Sequence, residues 1–292
     1  MQDPNKPIWI NSENKEITTI NLEEALKNKK NHISIYVATP VHSECSIHYT
    51  QSLLMFQQKC MVNNILVSFS LMKSSLVTQG RNLCVSAMFE DEKKYDYLLF
   101  IDSDIDFSFE LIMKMINKDK DVIAYPYPLK TIDWNKLHKN RINRNENDPE
   151  IYSKYGYTWP IKLENKNSIE VIDEVAEVTH APTGCMLIKR SVFETMMEKF
   201  PELKIIQPTI LNGKMTERPY FYNFFDTYHE PETKRYYGED FGFCKRWAEA
   251  GGKCHILVSE DYISHVGEYK YTGRIMDDLI FATKNVDESD KN

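Results

Sequence analysis

The residues with the clearest chemical potential stand at the end of an apolar run. Residues 97–106 read YLLFIDSDID, so five apolar or aromatic side chains end abruptly in Asp102, Asp104 and Asp106. A run of this kind reads as a fully buried strand. Carboxylates a few ångströms apart repel one another, and desolvation raises the cost of keeping them ionised. A divalent cation would remove that cost; the alternative is a solvated acidic turn after a core strand. If the backbone is still extended there, Asp102 and Asp104 project to the same side, because side chains repeat every second residue. That geometry suits Mg²⁺ or Mn²⁺, which need only one or two protein carboxylates and keep positions for water and phosphate oxygens. An EF-hand loop starting at Asp102 would need glycine and glutamate where the chain has Phe107 and Met113, so that reading fails. A phosphatase of the aspartyl-phosphate type would want a small residue such as threonine where Asp106 stands.

A second acidic group lies in Gly238-Glu239-Asp240-Phe241-Gly242, at the start of an expected helix over 240–250 closed by Gly251-Gly252. Carboxylates are favoured at a helix N-terminus by the dipole, so ordinary capping is one reading. The other is a general base, which must reach an attacking hydroxyl. His265 follows the last expected strand; it is either a structural histidine or, as a neutral imidazole, a ligand completing the Asp102/Asp104 site. Arg81 and Asn82 open a helix after Gly80, where guanidinium and amide meet a diphosphate or a base, or form a surface pair.

Positioning these groups requires a sheet. Apolar runs at 33–39, stopping at Pro40, and at 65–71, 97–101 and 121–125 read as strands. They alternate with helical patterns at 45–61 and 77–90 and with a third helix N-capped by Ser108. Such alternation implies an α/β domain with a mostly parallel, Rossmann-like sheet covered on both faces. Ligands of these sheets collect at the carboxyl ends of the strands, which brings Thr39-Pro40, residues 73–81 and residues 102–106 to one cleft. Residues 129–167 turn polar but carry Trp134, Tyr152, Tyr155, Tyr157 and Trp159. They form either an excursion packed back on the body or a surface that stacks on a ligand such as a sugar. Strand character resumes at 169–178 and 186–188, a helix starts at Ser191, residues 203–237 are irregular and aromatic, and 255–258 is a last short strand.

With 292 residues, one large α/β domain or two smaller ones can bury a core. The chain carries 36 basic and 43 acidic residues, a net charge of −7, so nothing global attracts nucleic acid and an anionic ligand must be held locally. Six cysteines without a CxxC pair fit reduced, buried thiols of a cytoplasmic protein better than a disulfide frame or zinc site. The first fifteen residues lack an apolar signal core and no stretch approaches eighteen apolar residues, so no transmembrane segment is expected.

Together these residues resemble the GT-A fold glycosyltransferases, nucleotide-sugar-dependent enzymes related to glycosyltransferase family 2. Val37-Ala38-Thr39-Pro40 is similar to the first-strand nucleotide edge, Gly80-Arg81-Asn82 to the helix facing the donor, and residues 97–104 to the DxD strand. Residues 181–190, APTGCMLIKR, are similar to the acceptor-side glycine segment, and Tyr237-Gly238-Glu239-Asp240 with Trp247 and Gly251-Gly252 to the ED-motif helix. The resemblance covers about residues 33–267. It divides them into a nucleotide-binding half (33–128), an insertion (129–168) and a smaller acceptor-side half (169–267), with a lead segment (1–32) and a tail (268–292). It implies Mn²⁺ or Mg²⁺ held by Asp102, Asp104 and His265, and a UDP- or GDP-sugar donor contacted by Thr39, Pro40, Arg81, Asn82, Asp102 and Ser103. The metal would neutralise the leaving diphosphate. It further implies Asp240 as the base of an inverting transfer to a hydroxyl on a carbohydrate, protein or lipid-linked glycan acceptor, with Glu239 orienting acceptor or base. The segment after His265 would close over the donor phosphates, Lys270 and Arg274 supplying charge and Gly273 a hinge; a frayed basic tail is the other reading. Asp106 lengthens the acidic motif beyond its minimal form. Two rivals remain: a sugar-1-phosphate nucleotidyltransferase, which wants a glycine-rich phosphate loop where Thr39-Pro40-Val41-His42 stands, and a non-catalytic nucleotide- or carbohydrate-binding module of the same fold.

Overall fold

A computed structural model describes residues 33–269 apart from 146, 162–169, 207 and 212, together with a short antiparallel ribbon of Ile8–Trp9 and Thr18–Thr19. The predicted contributions of Lys270, Gly273 and Arg274 lie outside the described residues.

The chain alternates strands and helices as their apolar patterns dictate. It runs β1 (Ser34–Val41), α1 (Ile47–Val62), β2 (Leu66–Lys73), α2 (Val77–Glu90), β3 (Tyr97–Ile101), β4 (Ile105–Asp106), α3 (Phe109–Asn117) and β5 (Val122–Ala124). Two short helices, α4 (Trp134–Arg144) and α5 (Pro149–Tyr152), occupy the aromatic excursion. Then come β6 (Val175–Val178), β7 (Cys185–Lys189), α6 (Arg190–Lys199), β8 (Thr209–Leu211), β9 (Lys214–Thr216), β10 (Tyr228–Glu230), β11 (Arg235–Tyr237), α7 (Glu239–Glu249), β12 (Cys254–Leu257) and β13 (Ser264–His265). Residues 203–237, irregular by sequence, thus hold two small hairpins, β8–β9 and β10–β11.

Seven strands form one sheet in the order β2-β1-β3-β7-β5-β12-β6. β1 is parallel to β2 and β3, and β5 to β12, whereas β7 is antiparallel to both neighbours and β6 to β12. The expected α/β class holds with two reversed strands: five strands point one way and β7 and β6 point back. Alternate residues of β3 feed opposite cores. Leu98 and Phe100 join the side chains of α2, α6 and α7 on one face, while Leu99 and Ile101 join those of α1 and α3 on the other. Each such fully buried side chain contributes about 1.5–3 kcal/mol, which fixes β3 and the acids at its end.

Strand β1 runs through Pro40 to Val41 instead of stopping at it. Pro40 lies beyond the last β1–β3 pair, Ala38 with Phe100, where only β2 is alongside, and a residue lacking an N–H is tolerated at such a one-sided position. Helix α3 starts as the sequence indicates, Ser108 accepting from Leu111 N, and Ser46 caps α1 in the same way, accepting from Tyr49 N. Gly251 lies in the left-handed region at φ +88°, ending α7. All six cysteines are free and five are buried.

Candidate active site

The acids at the end of β3 do not share one environment. The amide of Asp102 donates to Gly184 at 2.9 Å, adding one rung to the sheet, and Ile105 N donates back to Asp102 O at 3.1 Å. The chain therefore turns at Ser103 and Asp104, so the extended backbone that would aim both carboxylates one way is absent. Asp102 faces inward, where Arg81 Nη2 donates to both its oxygens at 2.9 and 3.2 Å. Arg81 Nε donates to Glu239 Oε1 at 3.0 Å, Thr183 Oγ1 reaches the same oxygen at 3.4 Å, and the guanidinium lies 5.1 Å from the Phe100 ring. Burial lifts the Asp102 carboxyl above its usual range with Arg81 opposing, and the two acids hold the Arg81 charge against its own burial. The Arg81 side chain is only 3% exposed, and its Nη1 is buried without a hydrogen-bond partner.

Asp104 faces outward. Lys130 Nζ stands 2.5 Å from its Oδ2 and His265 Nε2 stands 3.5 Å from its Oδ1. Burial pushes its pKa up, but the hydrogen bonds from His265 and Lys130 outweigh this and bring it down to about 2. Backbone pairing sets the approach: β13 is antiparallel to β4, with His265 opposite Ile105, and Val266 N donates to Asp104 O at 2.8 Å. His265 Nδ1 lies 3.0 Å from Pro128 O; a carbonyl only accepts, so Nδ1 carries a proton. Nε2 faces the Asp104 carboxylate across 3.5 Å, where a proton on Nε2 makes an ion pair and a bound cation would take that proton's place. Among the described residues no three His, Cys, Asp or Glu side chains are grouped to hold a metal ion. Asp104 with His265 is nevertheless a donor set that fits a hard cation keeping its remaining positions for water and phosphate. Asp102, already held by Arg81, falls behind that position.

The second acidic group opens α7. Gly238 is the N-cap, and Glu239 and Asp240 occupy the first turn. Asp240 Oδ1 accepts from Phe241 N at 2.8 Å, while its Oδ2 lies 3.2 Å from His180 Nε2. His180 also lies against the Phe241 ring, 5.3 Å between centroids. Burial disfavours the imidazolium, yet Asp240 and Cys244 overcome it and raise His180 to about 9; in return His180 outweighs the burial of Asp240 and lowers its carboxyl. Tyr127 sits edge-on to the His265 ring at 5.1 Å, and its phenol is raised by burial and then by the Asp102 charge.

Three sequence expectations take other places. Thr39 is fully buried and shares a 2.7 Å hydrogen bond with Tyr49 OH, inside the sheet–α1 interface and not on the open edge; only the half-buried Pro40 reaches toward that edge. Asn82 is buried and fully engaged, donating to Asn223 Oδ1 and Phe225 O and accepting from Phe225 N at 2.9 Å, so its amide pins the 223–225 segment. Ser103 contributes its carbonyl to Ser46 N at 2.8 Å. Asp106 accepts from Ser52 Oγ at 2.6 Å and so belongs to the α1 contact, outside the Asp104 cluster. His180, Lys130 and Tyr127 escaped the sequence reading, and Thr183 entered it only as part of the 181–190 segment: each meets its partner across a long stretch of chain.

No family model matches the chain, and no curated protein matches it. Solved structures that are similar in part include the following two. One is described as A197 from STIV: 16% identical, covering 83% of this chain and 98% of that one, with a TM-score of 0.39. The other is UDP-glucose pyrophosphorylase complexed with UDP-glucose: 11% identical, covering 77% and 72%, with a TM-score of 0.31. At such identities and scores neither says what this chain does.

Proposed function

We propose that the protein is a metal-dependent glycosyltransferase that moves a sugar from a UDP- or GDP-sugar to a hydroxyl acceptor with inversion. The observation that carries this reading is the Arg81 bridge, which ties Asp102 of the first acidic group to Glu239 of the second. Two acidic motifs far apart in sequence are thereby brought side by side, which supports a donor-and-acceptor reaction. Asp104 and His265 are the residues that would hold Mn²⁺ or Mg²⁺, which supplies charge neutralisation to the departing diphosphate. Arg81 keeps Asp102 and Glu239 in register and the cleft floor rigid. Asp240 takes the proton of the acceptor hydroxyl as that oxygen attacks; the pairing with His180 that lowers its pKa keeps it ionised but weakens it as a base, so positioning carries its role. His180, hydrogen-bonded to the other carboxylate oxygen, orients it.

The test is binding and turnover over a panel of nucleotide sugars with Mn²⁺, with and without chelator. Asp104→Ala should lose metal-dependent donor binding, whereas Asp240→Asn should keep donor binding and lose transfer by about 10²-fold or more. Equal loss of donor binding in both variants contradicts the assigned roles. If no nucleotide sugar binds or reacts, the transferase reading is wrong, and pyrophosphate release from a nucleoside triphosphate and a sugar 1-phosphate would assign nucleotidyl transfer instead.

A further inference from the structure

Lys130 belongs to no motif, yet it lies at the centre of the outer acidic group. It follows the loop that leaves β5, at the start of the aromatic excursion, and its neighbour Pro128 supplies the carbonyl that orients His265. Its ammonium is 2.5 Å from Asp104 Oδ2, on the same carboxylate that faces His265. The path of its side chain is also accommodated. A Cβ on Gly267 would come within 2.6 Å of Lys130 Cδ and 3.2 Å of Cγ and Cε, so the absence of a side chain at 267 lets the lysine stem lie flat along the backbone just beyond His265. Gly267 has no left-handed φ, unlike Gly213 and Gly251; its role here is space, not backbone freedom. Both partners are partly open, Lys130 at 38% and Asp104 at 34% side-chain exposure, and ion pairs that open exchange readily because each is worth no more than about 1 kcal/mol.

From these placements, and resting on the metal reading above, we infer that Lys130 is an exchangeable counter-cation. It holds Asp104 in the metal-free protein and is displaced when a divalent cation takes the Asp104–His265 position. Asp102 has no such exchange open to it, because its cation is buried and shared with Glu239. A metal that binds must work against a unit positive charge a few ångströms away, or against the loss of the Lys130–Asp104 pair. Metal affinity of the free protein is thereby held down, and the excursion gains a function at its first residues.

The test uses Mn²⁺ alone as probe, titrated into the full-length protein and followed by the electron paramagnetic resonance signal of free Mn²⁺. Lys130→Met should bind Mn²⁺ about tenfold more tightly than the wild type. Gly267→Ala, which keeps the charge but pushes the stem aside, should tighten binding in the same direction by a smaller factor. In the Asp104→Asn background, Lys130→Met should bring no gain. Equal Mn²⁺ affinity in wild type and Lys130→Met overturns the counter-cation role while leaving the metal site standing. Absence of Mn²⁺ binding in every variant overturns the metal reading, and the counter-cation role with it. A gain from Lys130→Met that persists in Asp104→Asn also overturns the role, since the charge would then act elsewhere.

Discussion

Asp102 and Asp104 are two residues apart, and the protein treats them as opposites. Asp102 is half-buried at 28% side-chain exposure, hardly less than Asp104, but its charge is met by a guanidinium that is itself 3% exposed and committed to Glu239 as well. Asp104 stands at a turn tip, met by an open lysine and by a histidine from β13 that is itself largely buried. A buried ion network is rigid because removing one member leaves a desolvated charge, whereas an exposed pair gives way at little cost. The inner acid is therefore scaffold and the outer acid is available to exchange partners.

The contrast can be broken most directly at its two cations. Arg81→Met leaves the partly buried Asp102 and Glu239 without a counter-charge and should lower unfolding stability by about 2–4 kcal/mol in urea titrations, while Lys130→Met should change it by less than about 1 kcal/mol. Comparable losses would mean that the two acids are not differently held. A smaller effect is expected at His180, which ties the second acidic group together. Its folded pKa of about 9 lies above the unfolded value of 6.5, so the pairing with Asp240 stabilises fully below about pH 6.5 and is lost as pH rises through 9. The stability difference between wild type and His180→Gln should accordingly shrink across that window from about 1–3 kcal/mol toward zero; a difference independent of pH would remove the ion pair from the account. Smallest is Ser52→Ala, which frees Asp106 and Phe107 N. It should cost about 1 kcal/mol and leave Mn²⁺ binding unchanged, since Asp106 sits with α1 and in neither acidic group.

Much of the frame was legible because it rests on local signals. The apolar run at 97–101, the Ser108 cap of α3 and the glycines after α7 each name their own structure within a few residues. The strand-end rule gathered Thr39-Pro40, residues 73–81 and residues 102–106, but the approach of Glu239 and Asp240 to them was implied only by the family resemblance. The partners were not legible. Asp102 and Asp104 look equivalent in sequence, and only the turn at 103–104 separates an arginine from α2 and a lysine from the excursion as their counter-ions. Thr39 and Asn82 looked like edge residues for the same reason: a strand end and a helix start are visible, but which side chain the packing turns inward is decided by α1 and by the 223–225 segment. The reversal of β7 and β6 carries no local mark at all, because a short apolar strand reads the same in either direction.

Gly242 sits in the first turns of α7, where a Cβ would fall 2.0 Å from the carbonyl oxygen of Asp226. Helix and loop touch backbone to backbone there, and the loop is tied on its other side by Asn82. In a saturation mutagenesis survey scored by growth or yield, position 242 would therefore tolerate no replacement, as stringently as Asp240 two residues away. A map of intolerance alone would draw the reacting centre one turn too wide, and only a readout that separates folded amount from turnover would draw it true.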